Sequence, residues 1–143
     1  MRSQKKWGIA MHRFSIALLL ALTLSSPAQA QLWDYIVTSE SGNSYYIDPL
    51  SIQRKGSIVN YIQLINYPQG ADISDKGMLS FVQFKTNDCA HRRFNISRLI
   101  GYEYENAKGS VVTVEFAKEE KWLTINPKKI ADIIHQEVCH KFH

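Results

Sequence analysis

The sequence has 143 residues, with 17 lysines and arginines against 13 acidic residues, a formal net charge of +4 at pH 7. Four of the basic residues and no acid lie in residues 1–30, so residues 31–143 carry 13 residues of each sign and no net charge. Proteins that bind nucleic acids hold phosphates with an excess of positive charge. The composition therefore argues against a nucleic-acid partner.

The first thirty residues have the three parts of a secretory signal peptide. A basic segment precedes an apolar run over residues 14–24, and small residues lead to a cleavage site after Ala30. The apolar run is far shorter than the ~20 residues that span a bilayer core, which argues against a membrane anchor. We predict a signal peptide over residues 1–30, beginning at Met1 or Met11, and one mature domain over residues 31–143.

The cleavage site has no cysteine, although a lipid-anchored export signal ends on one. The sequence therefore predicts an exported protein without a lipid anchor. We expect it in the periplasm, with the cell surface and secretion as the alternatives.

Two cysteines, Cys89 and Cys139, lie in the mature part. In an oxidising compartment an isolated pair favours a disulfide over a reactive thiol or a metal ligand, and neither cysteine stands in a Cys-x-x-Cys motif. Such a bond closes a loop of about fifty residues and stabilises the fold by roughly 4 kcal/mol in the chain-entropy model.

The mature chain is a series of short strands between turn signals, followed by one helix. The predicted strands cover residues 32–38, 44–47, 57–67, 78–85, 92–105, 110–116 and 121–125. Asp48-Pro49 is expected to stop the second strand, since proline has no amide hydrogen to donate. Asn126 and Pro127 predict a helix start. An apolar stripe then follows at Ile130, Ile133, Ile134 and Val138.

The strand over residues 57–67 is apolar on both faces, which requires cover on both sides. One face holds Ile58, Ile62 and Leu64, and the other holds Val59, Tyr61, Ile65 and Tyr67. A single short helix covers only part of one face. Either the sheet curls over on itself, or the second face meets a partner chain or ligand. The aromatic face with Tyr61, Ile65 and Tyr67 is the candidate binding surface.

These residues, in this order, resemble the surface-adhesin protein E family of Gram-negative bacteria. The elements that carry the resemblance are Trp33, Tyr45-Tyr46-Ile47-Asp48, Ser51-Ile52, Val59, Tyr61, Leu64, Asn66-Tyr67, Ser80, Asp88-Cys89, Trp122, Ile125, Pro127 and Val138-Cys139. They extend over nearly all of residues 31–139, and their specificity lies in their order and spacing.

The resemblance implies an α+β, mostly β fold, a curved antiparallel sheet of about six strands with one C-terminal helix tethered by the disulfide. It also implies a non-catalytic protein that binds host macromolecules, and a homodimer as one form of self-association. The alternative function is a periplasmic accessory or inhibitor protein that binds an envelope partner. In both cases we expect a protein partner and no cofactor.

The side chains suited to chemistry have simpler structural explanations. Cys139, His140 and His143 beside His135 suggest zinc, but structural zinc needs four convergent ligands, and a frayed polar tail explains them better. Glu103 and Glu105 share a strand face like a glycosidase pair, yet charged strand ends are commonly solvated edges. Arg92, Arg93 and Arg98 between apolar residues suggest a polyanion patch, which the nearby acids oppose. We therefore predict no catalytic residue and no metal site.

Overall fold

The computed structural model describes residues 32–141, so the predicted signal peptide and His143 lie outside the described residues. The main strands are β1 (Asp34–Thr38), β2 (Ser44–Lys55), β3 (Ile58–Asn66), β4 (Ser80–Asp88), β5 (Arg93–Tyr104) and β6 (Lys108–Phe116). They form one antiparallel sheet in chain order, and the two-residue strand β7 (Leu123–Thr124) pairs with the start of β5. The predicted curved antiparallel sheet with one C-terminal helix is confirmed.

Strand β2 continues through Pro49, so the prediction that Asp48-Pro49 ends the strand is wrong. The pairing of β2 with β3 shifts between Asp48 and Gln53, which marks an irregularity at the proline. Ser51 fills the gap, because its hydroxyl accepts the N–H of Ile62 at 2.8 Å and donates to the carbonyl of Asp48 at 2.6 Å. A proline is tolerated in a strand where such a bulge interrupts the ladder.

Helix α1 spans Ile130–Gln136, and a wider helical turn continues it over Glu137–Lys141. The prediction that Asn126 caps this helix is wrong, because the cap residue is Lys129. Lys128 has a φ of 63°, a left-handed conformation that separates the Asn-Pro pair from the helix. Asp132 accepts the N–H of Lys128 at 2.9 Å, so a side chain within the helix fixes its start.

The principal core lies between α1 and the face of the sheet that faces it. Its buried members are Ile47, Val59, Tyr61, Ile134, Val138 and Cys139. The predicted helical stripe is thus packed against the sheet at Ile134 and Val138, whereas Ile133 is 40% exposed. A helix of this length is marginal in water by itself, so its packing on β2 and β3 stabilises it.

The opposite face of the sheet is covered in part by the chain itself. Leu64 and Val82, which are cross-strand partners there, are buried. The turn Glu105–Ala107 folds over one end of this face, where Asn66 and Asn106 exchange hydrogen bonds of 2.8 and 2.9 Å. On this face of β3 the chain therefore buries Leu64, whereas Ile58 and Ile62 are half-buried. The apolar side chains of β6 are not covered in this way and remain exposed.

Among residues 32–141, no helix has the length and hydropathy needed to cross a membrane.

Candidate functional site

Strand β6 has an unpaired outer edge. Its inner edge pairs with β5, and no strand within residues 32–141 pairs with the other edge. Just beyond the strand, Ala117 N–H donates to the Ser97 carbonyl at 2.9 Å, in the register of the β5–β6 ladder. Antiparallel strands alternate between residues that bond to the neighbour and residues that do not. The peptide groups of Val114 and Phe116 therefore point to the open edge.

Four apolar side chains of this strand are exposed. Val111 is 53% exposed, Val112 46%, Val114 49% and Phe116 67%. We call these four residues the β6 patch. Apolar side chains next to an unpaired edge form a ready template for another chain, and natural proteins usually protect such edges.

The guanidinium of Arg98 on β5 stacks on an aromatic ring beside the β6 patch. The guanidinium carbon of Arg98 lies 3.6 Å from the ring centroid of Phe84 and 5.9 Å from that of Phe116. Phe84, Arg98 and Phe116 are cross-strand partners in one row, so they share a face of the sheet. Arginine and aromatic side chains are enriched at protein interfaces, which makes this row a suitable rim for the patch.

The predicted aromatic face lies mostly inside the molecule. Tyr61 and Ile65 are buried, Tyr61 within the core that Ile134 and Val138 complete. Tyr67 is half-buried, and its ring packs edge to face on that of Phe81 with centroids 5.7 Å apart. A binding role for this face stays a prediction, while four of the exposed apolar side chains lie on β6.

The C-terminal helix is held to the sheet by covalent and polar contacts together. Cys89 and Cys139 form the predicted disulfide, which joins the end of β4 to the helical segment. Arg54 on β2 donates to the carbonyls of Val138 and Cys139 at 3.0 and 2.8 Å. These carbonyls lie at the end of the helical segment, where intrahelical donors run out, so Arg54 acts as a cap.

A buried polar chain runs beneath the helix. Tyr61 donates its hydroxyl to Asn87 Oδ1 at 3.1 Å, and Asn87 Nδ2 lies 3.2 Å from His135 Nδ1. The same His135 nitrogen lies 3.5 Å from the Cys139 sulfur. Burial lowers the pKa of His135 below its ordinary value, with a further contribution from nearby Arg92. Burial also raises the pKa of Tyr61.

Lys85 is a second buried base on the same face of the sheet. Its Nζ donates to Gln63 Oε1 at 3.1 Å and lies 4.3 Å from the ring centroid of Phe94 and 5.7 Å from that of Tyr61. Burial lowers the pKa of Lys85 from 10.5 to about 7. Neutral amine and ammonium are therefore both populated near neutral pH.

The residues considered for chemistry are dispersed. Within residues 32–141, no group of three or more His, Cys, Asp or Glu side chains is arranged to hold a metal. Cys139 is disulfide-bonded, and His140 is exposed. Glu103 accepts the N–H of Ser110 at 3.3 Å, while Glu105 begins the turn after β5. Glu103 and Glu105 therefore do not lie on the same strand.

The three arginines have separate partners and form no common patch. Arg92 donates to Asp132 at 2.7 Å, and Arg93 donates to Asp88 at 3.1 Å. Arg98 stacks on Phe84. The first two arginines are paired with carboxylates, which disfavours a polyanion site.

The β6 patch was missed from the sequence because its residues look like an ordinary strand. The residue types do not show whether this strand lies at the centre or at the edge of the sheet, since three valines and a phenylalanine are common in both places. Only the strand order shows that they lie at an edge. The run of charged residues after Phe116 was the one available signal, since charges commonly flank exposed strands.

These features define a class: a small antiparallel domain with a disulfide-tethered helix and exposed apolar side chains at an open sheet edge. The profile of the surface-adhesin protein E family matches residues 33–140. The chain belongs to the surface-adhesin protein E family, so the resemblance seen in its residues is confirmed.

Solved structures of Haemophilus influenzae protein E share the fold. Crystal form II matches with a TM-score of 0.56 and 22% identity, covering 76% of this chain and 88% of that chain. The selenomethionine form gives 0.56 and 23%, covering 76% and 87%. Protein E from a non-typeable strain gives 0.52 and 21%, covering 75% and 74%. A comparison with curated proteins found no match.

Proposed function

We propose that this chain is a non-catalytic exported protein that binds other proteins, and that the β6 patch with its open edge is the binding surface. The observation that carries the proposal is the coincidence of an unpaired strand edge with four exposed apolar side chains. Membership of an adhesin family supports a binding function of this kind.

The open edge suits an extended segment of the partner, added as a further strand. Outward peptide groups at Val114 and Phe116 supply main-chain hydrogen bonds, which give affinity without regard to the partner's side chains. The apolar side chains on the two sides of β6 would select alternate residues of the bound segment. Arg98 beside Phe116 favours a polar or acidic residue at that end.

Proline substitution at Val114 tests this surface. Val114→Pro removes an outward N–H and leaves the ladder with β5 intact, whereas Val114→Thr keeps the N–H and the branched shape. The purified mature protein is tested against immobilised extracellular-matrix proteins. We expect wild type and Val114→Thr to bind and Val114→Pro to bind about tenfold more weakly, the worth of one or two main-chain hydrogen bonds.

Circular dichroism and an intact disulfide must show that both variants are folded. Equal binding by Val114→Pro would reject the edge as the surface, and failure of the wild type to bind any matrix protein would reject host adhesion.

Location separates adhesion from the alternative, a periplasmic accessory or inhibitor role toward an envelope partner. Cell fractionation with external protease distinguishes the two, because only a surface protein is cut in intact cells. A single stoichiometric partner recovered from envelope extract by wild type, and lost with Val114→Pro, would favour the accessory role. A second copy of the chain is the remaining occupant of the edge, and sedimentation of wild type against Val114→Pro detects it.

A further inference from the structure

We propose that the C-terminal helix is an acid-sensitive lock: proton uptake by His135 loosens the helix from the sheet while the disulfide keeps it attached. The proposal is independent of the β6 patch. It rests on the geometry of the buried polar chain beneath the helix and on the charges around it.

The hydrogen-bond directions in the chain leave one assignment for neutral His135. Tyr61 is buried, and its hydroxyl donates to Asn87 Oδ1. The amide nitrogen of Asn87 therefore faces His135, and it has only hydrogens to offer. Nδ1 of His135 must then be the unprotonated ring nitrogen that accepts.

A proton on Nδ1 breaks this arrangement in either amide orientation. With Asn87 as it stands, two donors face each other across 3.2 Å. If the amide flips, Oδ1 accepts from His135, but the Tyr61 hydroxyl then faces an NH₂ group and loses its acceptor. A buried donor without a partner costs about 1–3 kcal/mol, and the imidazolium adds a buried charge.

The charged groups around His135 do not offset that cost. Arg92 and His140 lie where positive charge disfavours the imidazolium, and Asp132 is the one acid that favours it. Asp132 is already bonded to Arg92 at 2.7 Å. From β2, Arg54 brings a further cation to the Cys139 carbonyl, and on the helix itself the Cys139 sulfur of the disulfide faces Nδ1.

The direction of the pH effect follows from these contacts. Burial and neighbouring cations lower the pKa of His135 in the folded protein below its ordinary value of 6.5. The contribution of His135 to stability is therefore complete above about pH 6.5 and is lost as the pH falls toward the folded-state pKa. Loosening uncovers Ile47 and Val59, which the helix buries.

Amide hydrogen exchange measured by NMR on the mature, oxidised protein tests the lock. We expect protection of the helix amides, corrected for intrinsic rates, to fall at least about tenfold between about pH 7 and about pH 5, with β3 and β4 unchanged. His135→Gln keeps an acceptor without a titrating ring, so its helix protection should not change. His140→Gln, at an exposed histidine on the same segment, is the matched control: it should still lose helix protection in acid, with the midpoint moved slightly to higher pH because one positive charge near His135 is gone.

Three results would overturn the proposal. The first is equal helix protection at both pH values in wild type, and the second is parallel loss in helix and strands, which is global unfolding. The third is that the helix loosens at a pH where the His135 ring, followed by its own NMR signals in wild type, does not titrate. The third measurement needs no variant, so the test survives if His135→Gln does not fold.

Discussion

Lys85 shows at the scale of a single residue how this sheet tolerates a base in its interior. Its amine lies near the rings of Phe94 and Tyr61 and donates a hydrogen bond to Gln63 Oε1. An ammonium in such a site loses its hydration, and one amide oxygen with two ring faces returns only part of it. The site therefore favours the neutral amine, in agreement with the lowered pKa.

Replacing Lys85 with methionine, which has a similar length and no charge, should stabilise the fold. In the unfolded chain the lysine titrates near 10.5 and in the folded chain near 7, so wild-type stability should rise with pH between these values. We expect Lys85→Met to flatten that slope and to gain about 2 kcal/mol at pH 7 and below, after the loss of the Gln63 contact. Urea unfolding between pH 6 and 9.5 measures both effects.

Lys55→Met is the control for this substitution, since Lys55 is exposed on β2. It should leave the slope unchanged. A destabilised Lys85→Met, or a wild-type stability that is flat over this range, would show that the amine is charged and well solvated in the fold.

At the scale of elements, the sequence predicted a strand at each of the seven positions, but not the course of the chain at Pro49 or before the helix. The strands and the C-terminal helix followed from apolar periodicity and turn residues, and the Cys89–Cys139 bond followed from the cysteine count. The passage of β2 through Pro49 depends on Ser51 reaching across to β3, a tertiary contact that no local pattern records. The delayed helix start depends likewise on the left-handed Lys128.

The proposed binding surface was the least predictable part, because the sequence of an apolar strand does not show which of its sides the rest of the chain covers. Tyr61 and Ile65 lie on a face that the chain itself buries, whereas Val114 and Phe116 are similar in type and exposed. The difference is their distance from the sheet edge, which is a property of topology.

Removal of the disulfide tests how far the other contacts hold the helix. The bond joins residues 50 apart, so its loss should lower the free energy of unfolding by roughly 4 kcal/mol in the chain-entropy model. We expect Cys89→Ala with Cys139→Ala to fold with this deficit, measured by urea denaturation. A deficit below about 1 kcal/mol would mean that packing by Ile134 and Val138 holds the helix without the tether.

Arg54 should contribute separately, as the cap of the helical segment. Arg54→Met removes the donors to the Val138 and Cys139 carbonyls, and we expect a loss of about 1–2 kcal/mol. Lys55→Met, one residue further along the same strand, should change stability by less than about 0.5 kcal/mol. Thermal unfolding of the two oxidised variants and wild type measures these losses. Equal losses of stability in the Arg54 and Lys55 variants would show that Arg54 does not cap the helix.

At the scale of the molecule, different parts of the chain cover the two faces of the sheet. One face is closed by the helix, its disulfide and buried polar contacts, and the other is closed by sheet curvature and the turn after β5. Burial is therefore greatest on the central strands and least on β6. Because residues 31–143 carry no net charge, we expect the proposed binding at the β6 patch to depend on apolar contact and main-chain pairing rather than on long-range attraction.

We expect the exported protein to be processed and disulfide-bonded. Mass spectrometry of unreduced protein from the envelope tests this expectation. The predicted cleavage after Ala30 would give the same mature chain whether synthesis begins at Met1 or Met11. We expect the mass of residues 31–143 less two hydrogen atoms, because an oxidising compartment closes the Cys89–Cys139 bond. Reduction should restore both hydrogens. A retained leader or two free thiols in the native protein would contradict export, and the helix would then rest on its noncovalent contacts alone.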